Sequence, residues 1–164
     1  MHMTILRVKP LQINQASMST LVDVYPYCQD QDGVYLLALQ RSQEVRYSGQ
    51  WRMVGGKVQE EESSTAAARR ELKEETGQSP MKFWTVPSIN QFYDHQSDAI
   101  HQIPAFAAEI SKDATIRLNH EHVDFSWISE EQIEGYISWP EQQRLMRLVA
   151  DIVTHQKILK EWII

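Results

Sequence analysis

The chain has 164 residues, 42% of them hydrophobic and 23% charged, with a formal net charge of −6. This length suits one domain, residues 1–164, with a substantial core. The negative charge argues against a surface that binds duplex nucleic acid regardless of its sequence. No apolar run approaches the roughly 20 residues that span a bilayer, and residues 1–4 lack the basic and apolar blocks of a signal peptide. With Cys28 as the single cysteine, we expect a cytoplasmic monomer or homodimer without an intrachain disulfide.

The first third of the chain predicts a β-hairpin and a short strand. Alternating β-branched and aromatic residues favour the hairpin strands, although Pro26 weakens the end of the first one. The predicted elements are a strand at 19–28, a turn at 30–33, a buried strand at 34–40, a polar loop at 41–50 and a short extended segment at 51–54 that ends at Gly55-Gly56.

A helix is predicted from Ser63 to Thr76, because Ser63 can cap its start and Gly77 stands where a left-handed cap would end it. Pro140 suits the first position of another helix. The remaining predicted elements are strands at 81–86, 89–93, 103–110 and 122–128, a polar connection at 94–101, a helical turn from 129 and a last helix from 139 towards 159. This order indicates the α/β class, with helices on both faces of a mixed sheet.

The chemistry is concentrated between Gly55 and Gly77. Within the predicted helix, Glu71, Glu74 and Glu75 stand at i, i+3 and i+4, which places three carboxylates on one side. Such carboxylates repel one another without a counter-ion, and hard oxygen ligands suit Mg²⁺ or Mn²⁺. Taken alone, an Arg-Glu-x-x-Glu-Glu segment is more often a solvated, salt-bridged helix face.

The wider frame favours the metal site. Gly56, Glu62, Arg70, Glu71, Glu74, Glu75 and Gly77 fall at the intervals G-x5-E-x7-R-E-U-x-E-E-x-G-U, where U is a bulky apolar residue. Seven such matches would coincide by chance on the order of once in 10⁸ to 10⁹ starting positions. The sequence therefore resembles the Nudix hydrolases, with the signature box at residues 55–78. Gln78 departs from the pattern at the final apolar position.

The resemblance implies a Nudix-type α/β/α sandwich and a divalent-cation site. It implies Glu71 and Glu75 as core metal ligands, Glu74 as a further ligand or neighbour, and the Gly55 carbonyl as a completing ligand. Arg70 resembles the box arginine that orients a glutamate, and Glu62 resembles the glutamate that anchors the loop. Water would attack phosphorus while a glutamate, Glu71 or Glu74 within the box, takes its proton.

A second resemblance concerns residues 119–127 and 139–149, which are similar to the C-terminal part of the dihydroneopterin triphosphate and dATP pyrophosphohydrolases. In that subgroup a glutamate outside the box reaches the metal site. At the matching position, Glu121 is expected to be an extra ligand or the general base. A lone glutamate without this match would be an exposed loop acid.

The sequence indicates substrate-contacting residues less specifically than it indicates metal ligands. Arg41 resembles a phosphate-contacting arginine, and an arginine exposed at the end of a strand is nearly as common. Trp51, Tyr93 and Trp139, with Tyr47 and Phe92, are candidates for stacking on a base or pterin, although aromatic residues more often belong to the core. The histidines show no spacing that suits Zn²⁺.

Three functions remain open at this point. The leading one is a Mg²⁺-dependent pyrophosphohydrolase acting on a (deoxy)nucleoside triphosphate or dihydroneopterin triphosphate, with Mn²⁺ able to substitute. The second is hydrolysis of a dinucleoside polyphosphate such as diadenosine tetraphosphate. The third is a non-catalytic nucleotide-binding module, which the complete set of box acids disfavours.

Overall fold

One mixed sheet organises residues 20–164, the part of the chain that this computed structural model describes. Its seven strands are β1 (Leu21–Asp30), β2 (Gly33–Arg41), β3 (Trp51–Arg52), β4 (Val54–Lys57), β5 (Lys82–Asp94), β6 (Ala99–Glu109) and β7 (His122–Ile128). The helices are α1 (Ser64–Thr76), α2 (Ile133–Tyr136) and α3 (Pro140–Thr154), with 3₁₀ turns at Glu130–Gln132 and Lys160–Trp162. The strand order is β3-β2-β1-β6-β5, with β4 paired to β1 and β7 to β2. Only the β1–β6 pairing is parallel among these neighbours.

Helices cover both faces of this sheet because successive strand residues point to opposite sides. On one face, Leu72 of α1 packs with Val24 of β1. On the other face, Leu145 of α3 packs with Tyr25, the next residue of β1. The predicted α/β/α sandwich is confirmed. Within residues 20–164, no helix is both long and apolar enough to cross a bilayer.

Pro26 does not weaken β1, which continues to Asp30. The Tyr27 carbonyl accepts a hydrogen bond from Ile110 on the β6 side. Backbone polar groups alternate sides along a strand, so the Pro26 nitrogen faces the opposite side. There the partner of β1 changes from β4, which ends its pairing at Val24, to β2, which begins at Tyr27. The missing N–H therefore falls where β1 has no partner. The predicted first residue, Ser19, lies outside the described residues.

The Gly55-Gly56 pair does not end the extended segment, as the sequence indicated. Both glycines lie inside β4, where they pair with Asp23 and Val22. Neither has a positive φ, so close contacts, not a turn, require glycine here. The loop expected at the glycine pair begins after Lys57 and leads into α1.

Other boundaries also differ from the sequence predictions. Strand β6 begins at Ala99, inside the segment predicted as a polar connection at 94–101 and before the predicted strand at 103–110. The segments at 81–86 and 89–93 form one strand, β5, with an irregularity between Thr85 and Ile89 that lets it pass Pro87. The last helix ends at Thr154 instead of Leu159. Gln156 takes a left-handed φ of 53°, and the Lys157 N–H donates to the Ile152 carbonyl, which is the Schellman arrangement usually built on glycine.

Candidate active site

Helix α1, which carries three of the box acids, is capped at both ends. The Ser63 hydroxyl accepts a hydrogen bond from the Ala66 N–H at 3.1 Å. At the other end, Gly77 has a φ of 73° and its N–H donates to the Lys73 carbonyl at 2.9 Å. Both predicted caps are confirmed, and they fix where the helix begins and ends.

Arg70 is the main organiser of the acids. Its guanidinium donates to both carboxylate oxygens of Glu62 at 2.9 Å, to Glu71 at 2.6 Å, to Glu74 at 3.2 Å and to the Lys57 carbonyl at 2.9 Å. The hydrogen bonds from Arg70 lower the pKa of Glu62 to about 2. The long Arg70 side chain folds back over the acids, an arrangement in keeping with the resemblance to the box arginine that orients a glutamate.

Glu71 lies directly over Gly56. A Cβ atom added at Gly56 would stand 2.1 Å from the Glu71 carboxyl carbon. Glu71 is buried, and burial raises the pKa of its carboxyl while Arg70 opposes that rise. The signature glycine therefore provides the space in which this carboxylate sits.

Replacing Gly56 by Ala should displace the Glu71 carboxylate and lower kcat/KM by about tenfold, a loss near 1.4 kcal/mol of transition-state stabilisation. The carboxylate can swing aside, so the free energy of unfolding should change by less than about 1 kcal/mol. Gly135→Ala is the matched control, because its added methyl group meets nothing within 4 Å. Unchanged kcat/KM in Gly56→Ala would show that the position of Glu71 is not critical.

Glu75 is the most unusual acid of the site. It is 1% exposed, and neither carboxylate oxygen accepts a hydrogen bond of ordinary geometry. Burial, with the charges of Glu71 and Glu121, raises its pKa well above the usual value, and the nearby Gly55 N–H offsets only a little of this. His122 Nε2 stands 3.8 Å from Glu75 Oε2. Burial lowers the pKa of His122 to about 4, so its neutral ring supplies no counter-charge.

Glu121 approaches the site from the loop before β7. Its carboxylate accepts a hydrogen bond from Arg41 at 2.9 Å, and its side chain is 34% exposed. The Glu121 carbonyl accepts the N–H of Ser42, which ties this loop to the end of β2. The structure therefore brings Glu121, the acid of the second resemblance, and Arg41, the phosphate-binding candidate, into a single ion pair.

A cavity of about 460 Å³ lies beside these groups. The predicted site residues that line it are Gly55, Glu71, Glu75, Glu121, Arg41, Tyr47, Phe92 and Trp139. Arg70 and Glu74 stay behind the lining, with the Glu74 side chain half exposed. Trp51 is partly buried, lies edge-on to Tyr136 and packs against the core. Tyr93 is 61% exposed and donates its hydroxyl to Asp98. The structure thus does not bring Trp51 or Tyr93 to the cavity.

Other lining residues were not predicted from the sequence. Asp23 is buried, accepts hydrogen bonds from Asn90 and Tyr25, and has a pKa raised to about 6 by burial. Arg52, His101, His122 and Gln142 also line the cavity. Isolated polar residues in strands and helices carry no periodic signal, so only the folded arrangement reveals them.

The donor set fits a hard cation in its chemistry. Within residues 20–164, no three Asp, Glu, His or Cys side chains already surround one point, because Arg70 holds Glu71 and Glu74 while Arg41 holds Glu121. Glu75, however, keeps two buried oxygens without partners. A buried, unpaired carboxylate beside two further carboxylates is costly unless it takes up a proton or a cation binds it. Glu71, Glu75 and Glu121 are the residues that would hold one.

The comparison with known families decides the identity. The NUDIX domain family model matches residues 20–149. The chain belongs to the Nudix family. It is a Nudix hydrolase, and the box found in the sequence is the segment that forms β4, the following loop and α1.

The relatives of this Nudix hydrolase differ in what they act on. The nucleoside triphosphatase NudI of Klebsiella pneumoniae (strain 342) is 28% identical over 112 residues, which are 64% of this chain and 79% of that protein. An Ap4A hydrolase from C. elegans has the same fold, with a TM-score of 0.69 and 19% identity over 82% of this chain and 97% of that one. The E. coli dihydroneopterin triphosphate pyrophosphohydrolase has a TM-score of 0.67 and 19% identity over 80% and 94% of the two chains.

Proposed function

We propose that this Nudix hydrolase is a Mg²⁺-dependent pyrophosphohydrolase. It cleaves the bond between the α- and β-phosphates of a (deoxy)nucleoside triphosphate or dihydroneopterin triphosphate and releases pyrophosphate. The observation that carries the proposal is the unpartnered, buried Glu75 carboxylate beside Glu71 at a cavity that also holds Arg41 and aromatic rings. The likeness to a nucleoside triphosphatase supports the triphosphate class.

The acids and the arginines have different roles in the proposed reaction. Glu71, Glu75 and Glu121, with the Gly55 carbonyl, would hold Mg²⁺, which neutralises phosphate charge and makes an attacking water more acidic. Arg70 keeps Glu71 and Glu74 in place through its hydrogen bonds. Arg41 lies at the cavity wall and is the group that binds a phosphate oxygen. A phosphate that takes Arg41 also frees Glu121 from its ion pair.

The freed Glu121 carboxylate is the candidate general base, with Glu71 or Glu74 as the alternatives within the box. Glu121 is the most suitable of these, because it lines the cavity with a side chain that is 34% exposed, whereas that of Glu71 is 11% exposed. Glu74 is half exposed but does not line the cavity. The base takes a proton from the water that attacks phosphorus, and the pyrophosphate leaves with the bonding electron pair.

A substrate panel tests the proposal. Initial rates with Mg²⁺ should be measured for the common nucleoside and deoxynucleoside triphosphates, dihydroneopterin triphosphate, diadenosine tetraphosphate and ADP-ribose. We expect a triphosphate to give the highest kcat/KM. A higher value for diadenosine tetraphosphate would favour the second function expected from the sequence, and no turnover of any member would contradict the proposal.

Metal removal should abolish turnover without unfolding the protein. We expect EDTA to reduce the rate to background, Mg²⁺ or Mn²⁺ to restore it, and the far-UV circular dichroism spectrum to stay unchanged throughout. The fold should survive because the caps of α1 and the Arg70 hydrogen bonds do not involve a cation. Full activity in excess chelator would disprove the metal requirement.

A further inference from the structure

We propose that Arg52 and Gln142 select the ring of the substrate by binding a lactam edge, that is, a ring carbonyl next to a ring N–H. The inference rests on the proposed function, because it assigns the ring-binding end of the same cavity. It adds a chemical criterion that separates guanine, uracil, thymine and pterin rings from adenine and cytosine rings.

Gln142 has an acceptor that no described residue satisfies. It is 2% exposed and lies on the buried stripe of α3 with Leu145 and Met146. Its Oε1 atom has no hydrogen-bond partner, yet the residue lines the cavity. An unpaired buried amide oxygen is destabilising, so a glutamine on an apolar stripe is better explained by a ligand N–H than by packing.

Arg52 supplies the complementary donor. Its Nε atom is buried without a hydrogen-bond partner, and the side chain lines the same cavity. Burial lowers the pKa of the Arg52 guanidinium, and the nearby charge of Asp23 opposes that fall. The Asp23 carboxylate is itself held by hydrogen bonds from Asn90 and Tyr25. Arg52 is therefore a charged donor, short of partners, at a cavity wall.

Both residues line the cavity, and the elements that carry them lie side by side. A β-bridge joins Trp51 to Ile137, which places β3 beside the segment that leads into α3. The Tyr47 ring links the same two parts, with the Arg52 guanidinium 5.2 Å from its centre and the Trp139 ring 5.3 Å from it.

Aromatic rings stand where a planar ligand would stack. The ring centroids of Trp139 and Phe92 are 5.7 Å apart. Those of Phe92 and His101 are 5.0 Å apart, and the angle between these two ring planes is 23°. All three side chains line the cavity. A flat ring held among them would present its polar edge to side chains in the wall, which is the arrangement that hydrogen-bond selection requires.

The pairing of donor and acceptor favours a lactam edge. A charged guanidinium shielded from water gains most from a strongly polar oxygen acceptor such as a ring carbonyl. The adjacent ring N–H then reaches the glutamine oxygen. In adenine and cytosine an amino group replaces the carbonyl and an unprotonated ring nitrogen replaces the N–H. Those rings would place a donor against Arg52 and an acceptor against Gln142 Oε1.

Nucleoside monophosphates test this without hydrolysis or metal. IMP and AMP differ at this edge, as do UMP and CMP, and each pair has otherwise the same ring shape. Dissociation constants should be measured by calorimetry in EDTA for the wild type. We expect the lactam member of whichever pair binds to bind at least about tenfold more tightly.

Two variants and one control test whether Arg52 and Gln142 cause the preference for the lactam ring. Arg52→Met and Gln142→Leu should each reduce the preference to within about threefold, and Gln142→Leu should also have a higher Tm because it removes the unpaired oxygen. Arg46→Met removes an exposed arginine from the same cavity wall and should keep the preference.

Several results would overturn the inference. They are equal binding within both pairs, tighter binding of AMP or CMP, a preference that survives both variants or is lost in Arg46→Met, or no measurable binding of any of the four. Failure of the triphosphate panel alone would refute the proposed hydrolysis and leave a measured lactam preference intact, so the two proposals fail separately.

Discussion

Glu75→Gln should lower kcat by about 10²-fold or more and at the same time make the metal-free protein more stable. The activity loss follows from removing one charged group of a preorganised electrostatic site. The gain in stability follows because a buried carboxylate without partners is replaced by a neutral amide of nearly the same shape. We expect a rise of about 1–3 kcal/mol in the free energy of unfolding at neutral pH.

The pH dependence of stability gives this prediction a second test. The folded protein raises the pKa of Glu75 above the ordinary value of 4.5. The unfolded chain therefore releases its proton first as the pH rises, and the folded state loses stability from about pH 4.5 up to the raised pKa. Glu75→Gln should remove this decline, so the stability gap between variant and wild type should widen with pH.

Urea denaturation in EDTA at several pH values measures the effect. Glu74→Gln is the matched control for stability, since it makes the same change on a half-exposed side chain of the same helix and should stay within about 0.5 kcal/mol of the wild type. A Glu75→Gln variant with near-native turnover, or one less stable than the wild type without metal, would show that Glu75 is not the buried ligand.

Glu121→Gln should lower kcat by about 10²-fold and change KM much less, because both roles proposed for Glu121 act on the chemical step. Loss of a general base should flatten the acidic limb of the kcat profile. Loss of a ligand should instead raise the Mg²⁺ concentration needed for half-maximal rate. Steady-state kinetics over pH and Mg²⁺ concentration separate the two roles.

The control for Glu121 is Asp124→Asn, a charge loss at an exposed position of β7 that should change kcat by less than about twofold. Arg41→Met should mainly raise KM, because Arg41 is proposed to bind phosphate in the ground state as well as the transition state. A kcat for Glu121→Gln within twofold of the wild type would return the search for the base to Glu71 and Glu74.

Most of the fold and the central residues of the candidate site could be predicted from the sequence, for identifiable reasons. The caps at Ser63 and Gly77 and the regular spacing of Glu71 and Glu75 depend on short-range geometry, which sequence spacing reports directly. The signature then indicated the sandwich that the structure has. The predicted ends of strands were wrong where pairing with distant strands determines them. Strand β1 continues past Pro26, because the missing N–H falls where β1 changes partners.

The rest of the site depends on contacts that no spacing rule describes. Arg70 reaches Glu62 across eight residues, and Arg41 reaches Glu121 across eighty. Gln142 has an ordinary polar position in the sequence, and only the buried stripe of α3 shows that its oxygen lacks a partner. Trp51 and Tyr93 were stacking candidates because they are aromatic. In the structure Trp51 packs against the core and Tyr93 is exposed to solvent.

The most direct test of the proposed reaction is product analysis of the preferred triphosphate with Mg²⁺ in ¹⁸O-labelled water. We predict equal amounts of the monophosphate and pyrophosphate, one ¹⁸O atom in the monophosphate and none in the pyrophosphate, and no inorganic phosphate. Formation of the diphosphate and inorganic phosphate would contradict the proposed site of cleavage.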